Sequence, residues 1–510
     1  MKRVLFAFMA LLILVAGCSK ETNGKKEEEV NQSEENTEVK DGEKEQVEEK
    51  HVEEAIVFKK SSPIKMDKSL PLETLDAFKV QTRENENEAS YHLDLTLKED
   101  DVFDVVATIN VKNLSQDVWD DMIFHFIPNA FTEENKPEYL ESKADVSIRE
   151  ILIDDNSVDY RLQHDNLQIL LEHPLHQNEE QEVKISYSFT VPTDGIRLSK
   201  MGKNFYLAQW YPMLSPYHSG WDKMDYGAGE SYHSDFSNFT VDYHLPEDFI
   251  IASSADNDPI QKSREGKLAG ENIKEFYMTF MKDMNVSKRE VDGTEIRVFS
   301  YPEDDSHREK HLELAAETLL FFNENFGQYP HKQLDIIMDE GGMEYPGIVT
   351  VSKGGPNAHT VIHEIAHQWF YGMVSNHPYY TPWIDEALTN YATYLFFMKG
   401  QNQGPGTAFT RANDLLQMGK SHGPMKPSNL HTVDYTGQPM SYVVSVYENS
   451  SLELWELSGE NADVGLDYLR KYFNLYAYKE VDANEWLRYT RAFFQIEDVS
   501  QLSDWISFEE

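Results

Sequence analysis

In the run NAHTVIHEIAHQWFYGMV, His363 and His367 stand four residues apart, with Glu364 beside the first. On a helix that spacing puts both imidazoles on one face, where they can aim at one point. Val361, Ile362, Ile365, Ala366 and Trp369 supply the apolar remainder that would bury such a helix. Neutral imidazole is a zinc donor, and a hydrolytic zinc takes three protein ligands while keeping a fourth position for water. Glu364 is placed to remove a proton from that water as general base. His-Glu-x-x-His is a zinc-protease signature for these reasons.

The third ligand must come from another element. PYYTPWIDEALTNYATYLFF reads as a helix with Pro382 near its N-terminus and Glu386 in its first turns. A carboxylate set among Trp383, Ile384, Ala387 and Leu388 is costly unless it is paired or metal-bound. The neighbouring Asp385 competes for the role, but it points about 100° away around the helix. Asn390, one turn beyond Glu386, is a candidate to orient a ligand histidine.

The segment HEIAHQWF followed by WIDEALTNYA resembles the aminopeptidase N-like zinc peptidases, a gluzincin family that includes leukotriene A4 hydrolase. The resemblance implies a thermolysin-like, mainly helical catalytic domain holding one Zn2+ on His363, His367 and Glu386. GGMEYPG, residues 341–347, is similar to the family's Gly-x-Met-Glu-Asn strand, with Tyr345 in place of Asn. That match implies that Glu344 binds the free α-amine of a peptide, a task a carboxylate performs by charge. Gly341 and Gly342 would let the substrate backbone come close to an edge strand. VVSVYENSSLELWEL resembles the family's Tyr-Glu-Lys-Gly helix start, with Asn449 and Ser450 replacing Lys and Gly. Tyr447 then stands where the family places a phenolic donor to the oxyanion, with Tyr442 and Tyr435 as competitors. FYLAQWYPMLSPY is similar to a strand-loop of bacterial relatives, and puts Gln209 near the loop that carries the family's second amine-binding side chain. The likeness covers about residues 85–507. Large members carry a further helical C-terminal domain. This chain ends about 143 residues after His367, so an open cleft, or one closed by another subunit, is expected.

The elements that must position these residues differ along the chain. YHLDLTLK alternates Tyr91, Leu93, Leu95 and Leu97 against His92, Asp94 and Thr96, and similar short runs recur. Residues 85–290 are therefore expected to form an antiparallel β domain. SHREKHLELAAETLLFFNENFG switches to a helical period, ending at Gly327. LDIIMDEGGMEYPGIVTVS reads as two strands around a Gly-Pro turn. Helices dominate from Asn357, so residues 291–510 form the catalytic domain of an α+β multidomain chain.

Residues 1–18 are a lipoprotein-type leader: Lys2 and Arg3, an apolar run too short to span a bilayer, then Ala16-Gly17-Cys18. The lipobox likeness implies cleavage before Cys18 and lipidation of its thiol. Cys18 is the sole cysteine, so no intrachain disulfide exists. Residues 19–84, rich in Glu, Lys and Asn at their start, are expected to be a disordered acidic tether. The formal net charge of −43 repels phosphate backbones and argues against nucleic acid as a partner. The expected protein is a lipid-anchored zinc aminopeptidase on the outer face of a bacterial membrane, acting on peptides. A zinc endopeptidase or other zinc hydrolase, or a catalytically retired surface-binding lipoprotein, is the alternative. The sequence leaves the oligomeric state open.

Overall fold

The structure, a computed structural model, describes residues 55–195, 197–227, 232–339, 341–354 and 357–508. The leader and Cys18 lie outside the described residues. No helix among those described is long and apolar enough to cross a membrane.

The expected alternation holds in the first half. Strand Asn87–Leu97 buries Tyr91, Leu93, Leu95 and Leu97 and turns His92 and Asp94 outward. It pairs antiparallel with Phe103–Asn113, which pairs in turn with Glu180–Phe189. Ten strands join in this sheet, and a second sheet of four packs against it over one aromatic-rich core. The domain is not wholly antiparallel: Asn87–Leu97 runs parallel to the long strand Ser237–Ser253. Two distant segments meet there, and a period-two pattern carries no information about strand direction.

The second half has a sheet of its own. Strands Asn285–Val291, Thr294–Ser300, Gln333–Asp339 and Ile348–Ser352 lie in that order. The first pair is antiparallel and the rest are parallel. Asn285–Val291 thus belongs to the second half, although a boundary at residue 290 assigns it to the β domain. Gln333–Asp339 and Ile348–Ser352 are both strands, but they do not form a hairpin. Residues 341–347 lead back to a strand parallel to the one before them, and Met343 makes an isolated antiparallel bridge to Thr350. The helix Asp305–Asn325 connects the second and third strands. The helices Ala358–Ala366 and Pro382–Leu395 pack against each other on this sheet.

The tether reading fails from about residue 59. Trp221 N donates to Lys59 O at 2.8 Å, and Ser61 N donates back to Trp221 O at 3.0 Å. Further on, Arg491 donates to Leu70 O, Arg488 binds Glu73, and Gln81 N donates to Glu485. Met66, Leu70, Leu75, Phe78 and Val80 rest on the catalytic core. This strap lays irregularly spaced apolar residues, interrupted by Pro63 and Pro71, across the last helices. It has no helical or strand period to reveal it.

Candidate active site and metal centre

The helix Ala358–Ala366 is buried on nearly all sides, and His367 closes its C-terminus by donating its backbone N–H to His363 O at 3.1 Å. Pro382 opens the next long helix at a position where its missing N–H costs nothing. Their packing brings the three expected ligands together. His363 Nε2 lies 3.1 Å from both Glu386 Oε2 and His367 Nε2, and His367 Nε2 lies 3.2 Å from Glu386 Oε2. Ligands sharing one tetrahedral zinc at the usual bond lengths stand roughly 3.3 Å apart, so the donor set fits the ion. The other ring nitrogen fixes the sense of His367. Nδ1 faces the Phe370 carbonyl at 3.0 Å, so it carries the proton and leaves the Nε2 lone pair for a metal. Thr389 Oγ1 supports the same arrangement, 3.1 Å from Nδ1.

Burial lowers the proton affinity of His363 and favours the neutral form a metal needs. Burial also opposes charge on Glu386, but the His367 and His363 imidazoles outweigh it and hold the carboxyl below its ordinary range. On His367 burial is likewise overcome, by Glu386 first, and the proton affinity rises. The pocket is built to hold positive charge.

Glu364 and Glu344 both reach this point. One carboxylate oxygen of each lies within 4.8 Å of the other and of a His367 nitrogen. Burial, reinforced by Glu364 and Glu386, pushes the Glu344 carboxyl up to about 7 against the pull of His367 and Arg197. Gln368, beside the ligand His367, clamps the Glu344 loop: its Oε1 accepts from Gly347 N at 2.9 Å and its Nε2 donates to Tyr345 O at 3.1 Å. Tyr345, in the place of the usual Asn, stacks on Tyr277 with ring centroids 4.1 Å apart. Thr350 Oγ1 donates to Gly341 O. Gly342 bears directly on Glu364. A Cβ there would strike the Glu364 carboxylate and sit 3.2 Å from Thr360 Cγ2. Its lack of a side chain makes room for Glu364.

Among the three candidate tyrosines, Tyr447 donates its hydroxyl to Glu386 Oε1 and lies 5.8 Å from the His363 ring. Tyr435 instead donates to Pro427 O, and Tyr442 packs edge-on against Tyr447. Asp385, the competitor for the metal, accepts from Asn376. Asn390 does not orient a ligand histidine. Its amide donates to Tyr447 O, Glu448 and Ser451 at 3.0–3.2 Å. Gln209 donates to Glu275 at 2.6 Å, and its own Oε1 is buried without a hydrogen-bond partner. Glu275 also accepts from Tyr232 and Tyr371, a buried carboxylate that no local motif marks.

A second histidine cluster joins the two halves. Asp222, His233 and His377 bring donor atoms within 4.8 Å of one another. Here the tautomer argues against a metal. His377 Nδ1 accepts from the backbone N–H groups of Tyr379 and Tyr380 at 3.2 and 3.3 Å. The proton is therefore on Nε2, which donates to Asp222 Oδ1 at 2.9 Å. His218 and His233 each place Nδ1 3.5 Å from Asp222 Oδ2, and His233 Nε2 lies 3.2 Å from Glu480. This is an ion-pair network. No spacing announces it, because its members lie at 218, 222, 233, 377 and 480.

A buried His-x3-His pair completed by a glutamate from the following long helix, behind a β domain, is a three-ligand set suited to a catalytic zinc. Residues 310–505 match the model of the Peptidase family M1 domain. Among curated relatives, Aminopeptidase 2 of Candida albicans is 31% identical over 118 residues, covering 19% of this chain and 13% of that protein. Leukotriene A-4 hydrolase of Xenopus laevis is 26% identical over 195 residues, covering 35% and 32%. The chain thus spans a third or less of the length of these relatives. An M1 zinc metallopeptidase from Deinococcus radiodurans superimposes with a TM-score of 0.60 at 15% identity, covering 84% of this chain and 95% of that one. Yeast LTA4 hydrolase gives 0.58 at 14%, covering 82% and 68%. At these identities the likeness to the solved structures is one of fold. Over residues 310–505 the chain is similar to the Peptidase family M1 domain, and its fold is like that of M1 zinc metallopeptidases of known structure.

Proposed function

We propose that the protein is an aminopeptidase that removes N-terminal residues from peptides outside the cell, anchored to a bacterial membrane through lipid on Cys18. The observation that carries the exopeptidase reading is the meeting of Glu344 with Glu364 and His367 in one buried pocket. A carboxylate held there can take a terminal ammonium by charge and place the first peptide bond over the metal ligands.

His363, His367 and Glu386 would hold zinc, which when bound supplies Lewis acidity and makes water a better nucleophile. Glu364 takes the proton of the attacking water and returns it to the departing amine. Tyr447 donates its hydroxyl to the negative charge developing on the carbonyl oxygen. Gln209 Oε1, oriented by the bond from its amide to Glu275, is a second acceptor suited to the substrate ammonium. The lipobox-like leader supports an outer-surface location, and the charge of −43 argues against a nucleic-acid partner.

Two measurements test this reading. Glu344→Ala should reduce kcat/KM about 10- to 100-fold for free-amine aminoacyl substrates, the worth of a charged hydrogen bond, and leave N-blocked ones nearly unchanged. Equal losses on both substrates would remove the ammonium role and favour an endopeptidase. Cys18→Ala should shift the protein from the membrane fraction to the medium, and unchanged membrane retention would refute the lipid anchor.

A further inference from the structure

One face of the helix Pro382–Leu395 carries Glu386, Asn390 and Tyr394, spaced four apart. Glu386 accepts the Tyr447 hydroxyl. One turn on, Asn390 Nδ2 donates to the Tyr447 carbonyl at 3.0 Å, to Glu448 Oε2 at 3.2 Å and to Ser451 Oγ at 3.0 Å. One turn further, the Tyr394 hydroxyl donates to the same Glu448 oxygen at 2.6 Å, while Arg411 Nε lies 3.3 Å from the other oxygen. Asn390, Tyr394, Glu448 and Ser451 are all buried, at 1% exposure or less.

We propose that Asn390, Tyr394 and Glu448 are positioning residues that set the Tyr447 phenol against the metal ligand Glu386. The proposal rests on the peptidase reading for its effect on rate. Tyr447 sits in the π-helical stretch Val443–Asn449. Such widened turns occur at functional sites and are held by their surroundings more than by their own hydrogen bonds. A buried carboxylate such as Glu448 is costly unless its oxygens are satisfied, and two of its donors come from the very helix that bears Glu386. Ligand and phenol are thereby referred to one rigid element.

The test is a kinetic cycle on the full chain with a free-amine substrate. Asn390→Ala should lower kcat about tenfold, the scale of a sub-ångström misplacement, with KM and bound metal unchanged. In a Tyr447→Phe background the same substitution should cost nothing further, because its effect runs through the phenol. A tenfold loss that multiplies onto Tyr447→Phe, or no loss in the single variant, overturns the proposal. Tyr394→Phe removes only a hydroxyl and carries the same cycle should Asn390→Ala fail to fold. A wild type without turnover would sink the peptidase reading alone. In that case a crystal structure of Asn390→Ala decides the positioning claim: the Tyr447 phenol displaced from Glu386 supports it, and an unmoved phenol refutes it.

Discussion

His367 and His377 are ten residues apart in sequence, and both are buried beside carboxylates, yet their rings are wired in opposite senses. His367 gives its Nδ1 proton to the Phe370 carbonyl and turns a lone pair toward Glu386 and His363. His377 receives two backbone N–H groups at Nδ1 and turns a proton toward Asp222. The backbone partner of one nitrogen thus decides whether the other can hold a metal or must donate to a carboxylate. Residue type and proximity alone do not separate the two clusters. The hydrogen-bond sense does: it leaves a metal-ready lone pair in one and an ion-paired donor between the two halves in the other.

The largest expected effect sharpens the first half of that contrast. Glu364→Gln keeps the shape of the site but removes the base. Turnover should fall by about 10⁴, the upper range for general acid–base catalysis, while metal analysis still finds one zinc on the triad. Near-normal turnover would refute the base assignment. Loss of the zinc would show that Glu364 holds the ion rather than the water.

The next effect belongs to the other cluster and should appear in stability rather than rate. Asp222 receives three imidazoles while almost wholly buried, and they hold its carboxyl far below the ordinary range. Asp222→Asn takes away the charge they face. Breaking a buried pair from one side typically costs about 3–5 kcal/mol. Thermal unfolding should register that loss, with turnover per folded molecule near wild type. A variant of unchanged stability that had instead lost a metal equivalent would overturn the ion-pair reading.

How far each cluster could be read from the chain follows from the same physics. The i, i+4 spacing of His363 and His367 is a local rule, and an acid surrounded by Trp383, Ile384, Ala387 and Leu388 is conspicuous at Glu386. The strands of the β domain were legible through alternation, as at Tyr91 to Leu97. What escaped was non-local. The parallel pairing of Asn87–Leu97 with Ser237–Ser253 joins two segments whose alternation marks each as a strand but names neither its partner nor its direction. The strap at residues 59–83 looks like a linker because it follows a long acidic run and spaces the anchors Leu70, Leu75 and Phe78 without a helical or strand period. Asn390 is legible as a polar residue in a buried helix, but its partners at 447, 448 and 451 are not, and the nearer ligand histidines are the only partners that spacing offers. Gly342 looked like room for substrate, and only the packing reveals that the room is taken by Glu364.

The smallest effect concerns pH and separates the clusters under mild conditions. Asp222, Glu480 and Asp235 face His233, as do the imidazoles of His218 and His377. Burial works against charge on His233, but Glu480 and then Asp222 outweigh it and raise its proton affinity to about 9. The unfolded chain releases that proton near pH 6.5. A group bound more tightly to its proton when folded contributes its full stability below the unfolded value and loses it as pH rises through the folded one. Stability should therefore decline between about pH 6.5 and pH 9, by about 3 kcal/mol in total if His233 alone titrates. Asp222 and Glu480 are already ionised across this window, being held below their ordinary range, so they add no slope there. Chemical denaturation at stepped pH in wild type and in His233→Gln measures the difference. The variant should make the decline shallower while leaving the pH profile of kcat unmoved; His218 and His367, whose proton affinities are also raised, keep a residual slope. A slope unchanged by the substitution would detach His233 from the junction, and a shifted kcat profile would mean that the two clusters act as one.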